Sequence, residues 1–86
     1  MQFEGCVLKE QGITFGIAIV KPHVLQNRSQ AQQAIASFSV AFGHVPTVLM
    51  AQDSRGVPTY YGRPDIVNFL SGVSIDRIPW QRYTLN

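Results

Sequence analysis

The alternation of polar and apolar residues near the start of the chain predicts two strands that form a hairpin. Residues 2–8 alternate as a half-buried strand does, and a polar turn with Gly12 follows. Residues 13–20 form the second predicted strand, which is apolar on one face and carries the small residues Thr14, Gly16 and Ala18 on the other. A strand without a polar face is typically central in its sheet and covered on both sides.

The second strand is predicted to end at Pro22, because proline has no N–H group to donate to a strand ladder, and a helix follows. We expect the helix to begin near Ser29, since Ser29 and Gln32 have the spacing of a capping box. Gly43 predicts its end, because glycine adopts the left-handed conformation at the lowest cost. Between these points, apolar residues at helical spacing predict one buried stripe: Ala31, Ala34, Ile35, Phe38, Ala41 and Phe42.

The second half of the chain predicts another hairpin, then a short helix and a final extended segment. Strands over 46–52 and 57–62 are joined by a type I turn that has Asp53 first and Gly56 fourth. Pro58 favours the edge of the sheet for the second of these strands. Pro64 is typical of the first position of a helix, which we expect over 64–71. The last segment covers 74–85 and is expected to be irregular at Pro79.

These elements predict one α+β domain over residues 1–86, in the order β-β-α-β-β-α-β. The helix between the second and third strands favours a parallel crossover, so we expect a two-layer fold in which a mixed sheet of four or five strands has both helices on one face. That arrangement leaves one face of the second strand uncovered. We therefore hypothesise self-association, or docking on a partner, through Thr14, Gly16 and Ala18. The alternative is that such small residues expose too little apolar area to need a cover.

The composition supports a folded domain and excludes several classes of protein. The chain has 86 residues and a mass of 9.6 kDa, with 45% hydrophobic and only 14% charged residues, which argues against disorder. A single cysteine excludes an intramolecular disulfide. No apolar run reaches the length of a membrane span, and no basic segment leads into an apolar stretch as in a signal peptide. We therefore expect a cytoplasmic protein.

Residues 44–70 carry a partial resemblance to a known family. His44, Val45, Pro46 and Thr47 open an apolar segment that is followed by a polar turn with Gly56 and a helix. This part of the chain resembles the C-terminal half of thioredoxin-like domains, in which a cis-proline lies near the site. The resemblance implies that Pro46 is a candidate cis-proline. It covers about a third of the chain and lacks the Cys-x-x-Cys motif, so we infer shared local architecture without redox activity.

The sequence contains no recognisable catalytic, phosphate-binding or metal-binding motif. Cys6, His23 and His44 are isolated from one another, and neither a His-x-x-x-His nor a Cys-x-x-Cys pair is present. Glycine-rich phosphate loops and the Gly-x-Ser-x-Gly elbow are also missing. We predict no metal and no cofactor, and the sequence leans against an enzyme without deciding the question.

Two segments combine arginine with aromatic residues and are candidate binding sites. In the first, residues 60–65, Arg63 precedes a predicted helix start, where it binds an anion or pairs with Asp65 or Asp53. In the second, residues 76–83, Trp80 lies between two arginines, a combination typical of interface anchors and of base stacking. Together with the arginine of the predicted turn, the candidate binding residues are Arg55, Tyr61, Arg63, Arg77, Trp80 and Arg82.

Our preferred hypothesis is a non-enzymatic module that self-associates or binds another protein. It depends on the lack of a catalytic motif, the low charge and the apolar second strand. The alternative is a small nucleic-acid-binding domain that uses the arginine and aromatic residues, although a net charge of +2 supports that partner only weakly. A third possibility is an enzyme whose site is shared between subunits.

Overall fold

The protein forms a five-stranded sheet with a helical layer on each face, in a computed structural model that describes residues 1–85. The strands are β1 (Gln2–Glu10), β2 (Ile13–Ile19), β3 (Thr47–Gln52), β4 (Pro58–Tyr61) and β5 (Gln81–Thr84). The α-helices are α1 (Pro22–Leu25), α2 (Arg28–Ala41) and α3 (Pro64–Ser71), and a 3-10 helix covers Ile75–Arg77. The predicted α+β class and order of the main elements are therefore confirmed, and α1 and the 3-10 helix are additions.

The sheet is mixed, with the strand order β4-β3-β2-β1-β5. β2 and β3 pair in parallel across the connection that contains α2, as the crossover predicted. The other three pairings are antiparallel. β4 lies at one edge of the sheet, where its proline was expected, because Pro58 cannot donate to a further strand.

The two long helices lie on opposite faces of the sheet, which corrects the expectation that both cover one face. Side chains alternate along each strand, so neighbouring residues of β2 enter different cores. We call one side the α2 face; its sheet residues Phe3, Gly5, Gly16, Ala18 and Leu49 lie under α2. We call the other side the α3 face; its sheet residues Cys6, Phe15, Ile17, Val48 and Met50 pack with α3.

Helix α2 shows which local predictions hold and which do not. Its predicted apolar stripe is confirmed, since all six residues belong to the core of the α2 face or pack against it. The capping box at Ser29 is wrong. The helix begins two residues earlier than predicted from that motif, and the side-chain oxygen of Asn27 accepts a hydrogen bond of 2.9 Å from the backbone N–H of Gln30. Beyond the last turn Gly43 has a φ of 80°, as its predicted role requires.

The second hairpin follows its predicted turn chemistry. The backbone N–H of Gly56 donates to the carbonyl of Asp53 at 3.0 Å, and the Asp53 carboxylate accepts bonds from the N–H groups of Arg55 and Val57. Pro46 lies immediately before β3 in a trans peptide bond, because residues 1–85 contain no cis bond. The cis-proline implied by the thioredoxin-like resemblance is therefore wrong.

Candidate functional site

The arginine and aromatic residues predicted to form a binding surface do not share one face of the protein. Tyr61 packs against the core of the α2 face, and its hydroxyl oxygen accepts a hydrogen bond from the Gln32 amide at 3.2 Å. Trp80 packs against the core of the α3 face, on the other side of the sheet. The structure therefore does not bring the two aromatic residues together on a single surface. The remaining candidates are distributed over four elements: Arg55 in the β3–β4 turn, Arg63 before α3, Arg77 in the 3-10 helix and Arg82 in β5.

Arg63 is engaged by a neighbouring carboxylate at the start of α3. Its guanidinium donates two hydrogen bonds to Asp65, of 2.9 and 3.0 Å, in the bidentate geometry that arginine and carboxylate favour. The hydrogen bond from Arg63 holds the pKa of Asp65 below its ordinary value. Two of the five N–H donors of Arg63 are thus paired with Asp65, whose carboxylate also offsets the positive charge, which favours the structural role for Arg63 over the anion site.

The surface predicted for self-association is mostly covered by α2. Ala18 is completely buried, and a Cβ atom added to Gly16 would overlap the ring of Phe42. Of the three predicted residues only Thr14 is exposed. The structure therefore does not support an interface on Thr14, Gly16 and Ala18, because α2 covers the face of β2 that was expected to be open.

Cys6 has the surroundings of a structural residue. It is 2% exposed on the α3 face, and burial raises the pKa of its thiol, which disfavours the reactive thiolate. His23 and His44 are exposed. Within residues 1–85 no group of three or more histidine, cysteine, aspartate or glutamate residues is arranged to hold a metal ion.

One edge of the sheet is left without a partner strand over half the length of β1. β5 pairs only with Gln2 to Gly5, although β1 continues to Glu10. In residues 1–85 no strand pairs with residues 6–10 at this side, which we call the β1 edge. Before β5 the chain lies on the α3 face of the sheet and not along its edge, since Ile78 belongs to the core of that face and Trp80 packs against it. The β1 edge therefore continues the line of β5 as an unfilled strand position.

The hydrogen-bond pattern shows which backbone groups this edge presents. Leu85 and Met1 exchange two backbone bonds, of 2.8 and 3.2 Å. Met1 thus directs its backbone groups towards β5. Because this direction alternates from one residue of a strand to the next, the odd-numbered residues of β1 direct their N–H and C=O groups away from β2. At the β1 edge these residues are Val7 and Lys9, which present two donors and two acceptors. The side chain of Val7 is 39% exposed and makes this edge partly apolar.

A second feature lies at the carboxyl end of β2, where α1 and α2 approach the first residues of β1. A groove of about 350 Å³ opens there, with Phe3 and Phe38 among its apolar lining residues and Lys21 and His23 among its polar ones. Ligands of open sheets commonly bind beyond the carboxyl ends of parallel strands, and β2 belongs to the parallel pair of this sheet.

Sequence reasoning missed both features for physical reasons. The β1 edge follows from a mismatch in length between β1 and β5, and only the paired register reveals it. The sequence of the last segment, which was predicted as extended over 74–85, gave no sign that pairing begins only at Gln81. The groove depends on how α1 and α2 pack, and α1 was not predicted.

In comparisons with known proteins, no family model, no curated protein and no solved structure matches the chain. None of the helices in residues 1–85 is both long enough and apolar enough to cross a membrane.

Proposed function

We propose that this protein is a non-enzymatic interaction module that self-associates by strand pairing at the β1 edge. The observation that carries the proposal is the unpaired half of β1, whose outward N–H and C=O groups belong to Val7 and Lys9. Such a row of free backbone groups is a template for an added strand. A second copy of the chain can supply that strand, because it carries the same edge.

A symmetric register satisfies the groups at this edge. A two-fold axis perpendicular to the sheet pairs residues that lie on the same face, so an axis at Leu8 pairs Val7 of one copy with Lys9 of the other. Val7 and Lys9 are both outward-facing residues, and they can therefore exchange both backbone hydrogen bonds. The two strands together would form four such bonds, and two five-stranded sheets would join into one of ten strands.

The side chains at the edge are compatible with the same register. Each Val7 would lie beside the aliphatic stem of Lys9 from the other copy, which reduces the exposure of the valine while the ammonium group stays in water. Like charges do not face each other directly, since Leu8 lies opposite Leu8 and Glu10 opposite Cys6. The low fraction of charged residues, 14%, also favours association over repulsion.

The experiment is light scattering on the full chain over a range of concentrations, comparing the parent with Val7→Pro. Proline removes the outward N–H group of Val7 and leaves the β1–β2 hydrogen bonds in place, because those bonds belong to even-numbered residues. We expect the parent to approach twice its mass of 9.6 kDa as concentration rises, whereas Val7→Pro remains a folded monomer.

The matched control is Thr84→Pro, which removes an outward N–H group from β5 instead. The Leu85–Met1 bonds make the odd-numbered residues of β5 face β1, so Thr84 faces away from the sheet. This variant should associate like the parent. A parent that stays monomeric, or a dimer that Val7→Pro and Lys9→Pro both leave intact, would exclude the proposal. Lys9→Pro repeats the test at the second outward position if Val7→Pro does not fold.

The nucleic-acid and shared-site enzyme hypotheses remain predictions, as does a cytoplasmic location. The position of Tyr61 and Trp80 on opposite faces weakens the first of them. Binding of a nucleic acid with a steep dependence on salt would favour it over self-association, because phosphate contacts release counterions.

A further inference from the structure

The groove at the carboxyl end of β2 has the size and lining of a small-molecule site. Its volume of about 350 Å³ lies within the roughly 300–1,000 Å³ of typical ligand pockets. Phe3 and Phe38 are almost completely buried, at 7% and 5% exposed, and contribute part of the apolar lining. Four other apolar lining residues are partly exposed and therefore still have surface to bury: Ile19 at the end of β2, Val20 directly after it, Val24 of α1 and Ala34 of α2.

The polar lining of the groove contains a positively charged side chain and no negatively charged one. Lys21 and His23 line it, together with the amides of Gln2 and Gln30, and no aspartate or glutamate does so. Lys21 is held in an extended backbone conformation directly before α1, with φ −71° and ψ 149°. The residue before it is fixed to the sheet, since the N–H of Val20 donates to the carbonyl of Met50 at 2.9 Å. The ammonium group is thus attached at a defined point beside apolar walls.

We propose that this groove binds a small amphipathic monocarboxylate, with its apolar tail against Phe3, Phe38 and Val24 and its carboxylate beside Lys21. Burial of the tail supplies most of the affinity, and the unopposed positive charge selects an anion over a neutral analogue. The site does not depend on self-association, because it uses the first residues of β1 whereas the β1 edge uses residues 6–10.

The experiment is calorimetric titration of the full chain with octanoate and, separately, with neutral 1-octanol. We expect octanoate to bind more tightly than octanol to the parent. Lys21→Gln should weaken octanoate binding about fivefold, the size of one partly exposed charge pair, and leave octanol unchanged. The matched control Arg55→Gln removes an equal charge from the β3–β4 turn, outside the groove, and should bind octanoate like the parent.

A second pair of variants tests the place of the apolar tail. Ala34→Phe fills the groove from α2 and should abolish octanoate binding, whereas Ala36→Phe adds the same ring at an exposed position of that helix and should not. Octanoate that fails to bind the parent, that binds Ala34→Phe as tightly, or that binds Lys21→Gln unchanged would overturn the proposal. If Ala34→Phe does not fold, Lys21→Gln still tests the proposal, because Lys21 is exposed and its substitution leaves the core unchanged.

Discussion

On the α2 face two glycines and an alanine of the sheet lie under aromatic side chains, whereas on the α3 face large sheet residues pack against the mostly aliphatic buried side of α3. Gly5, Gly16 and Ala18 form the floor of the α2 face, and Phe42 lies directly against the two glycines. On the α3 face Phe15 and Met50 pack with Ile66 and Leu70 of α3. The two cores use the same strands, because alternate residues of β1, β2 and β3 point in opposite directions.

The difference shows that small residues in a strand need not mark an open surface. Where glycines of the sheet leave space, rings from other parts of the chain can approach closely and fill it. Phe3 of β1, Phe42 directly after α2 and Tyr83 of β5 do so as a connected aromatic cluster: the ring centroids of Phe3 and Tyr83 are 5.5 Å apart, and those of Phe42 and Tyr83 are 4.9 Å apart. The α2 face should therefore resist added volume, whereas the α3 face should be most sensitive to lost volume.

The largest effect is expected from removing volume on the α3 face. Leu70 is completely buried in α3, so Leu70→Ala leaves a cavity and should lower the free energy of unfolding by about 3 kcal/mol. Urea denaturation followed by circular dichroism measures this change. The control Val67→Ala alters a partly buried residue of the same helix and should cost clearly less. Equal losses for the two variants would contradict the packing described for this face.

A smaller effect is expected from adding volume on the α2 face. Gly16→Ala places a methyl group into the ring of Phe42 and should destabilise the protein by about 2 kcal/mol. Gly72→Ala adds the same group after α3, where its nearest neighbour would be the carbonyl of Phe69 at an ordinary 3.7 Å, and it should be nearly neutral. Because the strain involves one ring, Phe42→Leu should recover part of the loss in the double variant. Strict additivity of the two substitutions would show that the ring is not the obstacle.

The smallest effect concerns the ion pair at the start of α3, which has no counterpart at the start of α2. Arg63→Gln removes the hydrogen bonds that lower the pKa of Asp65, so that pKa should rise towards its ordinary value. Titration of the carboxyl resonance by NMR measures this pKa, and Arg55→Gln is the control that should leave it unchanged.

The same shift makes a small part of the protein's stability depend on pH. Since the pKa of Asp65 is lowered in the folded state, the stabilisation by the ion pair is present above the unfolded pKa. It is lost as pH falls through the folded pKa. Both side chains are about half exposed, so the change in stability should be small.

Local signals in the sequence were enough to predict most elements. The predicted helix over 64–71 has the observed bounds, and the turn at Asp53 and the stop at Gly43 are present. These features depend on neighbouring residues only, through the fixed φ of proline, the side-chain acceptor of aspartate and the freedom of glycine. Ser29 shows the limit of this reasoning, because Asn27 competes for the same cap and occupies it.

The candidate sites were much less predictable than the elements. Arg63 and Asp65 are close in sequence, and their pairing was one of the two readings of that segment. Tyr61 and Trp80 were grouped by composition, but the register places them on opposite faces. The β1 edge and the groove arise where non-neighbouring elements end or meet, so neither has a signature in any short segment.

The sequence by itself determined the class of fold, the order of the main elements and which residues of each strand share a face. These properties follow from a side-chain period of two in strands and 3.6 in helices. Only the tertiary structure decided that α2 and α3 cover opposite faces and that β5 pairs with half of β1. Periodicity tells which side of an element is apolar, but not which other apolar surface it meets. That choice depends on packing between residues far apart in the chain, such as Phe42 beside Gly5, or Leu70 and Val48 in the core of the α3 face.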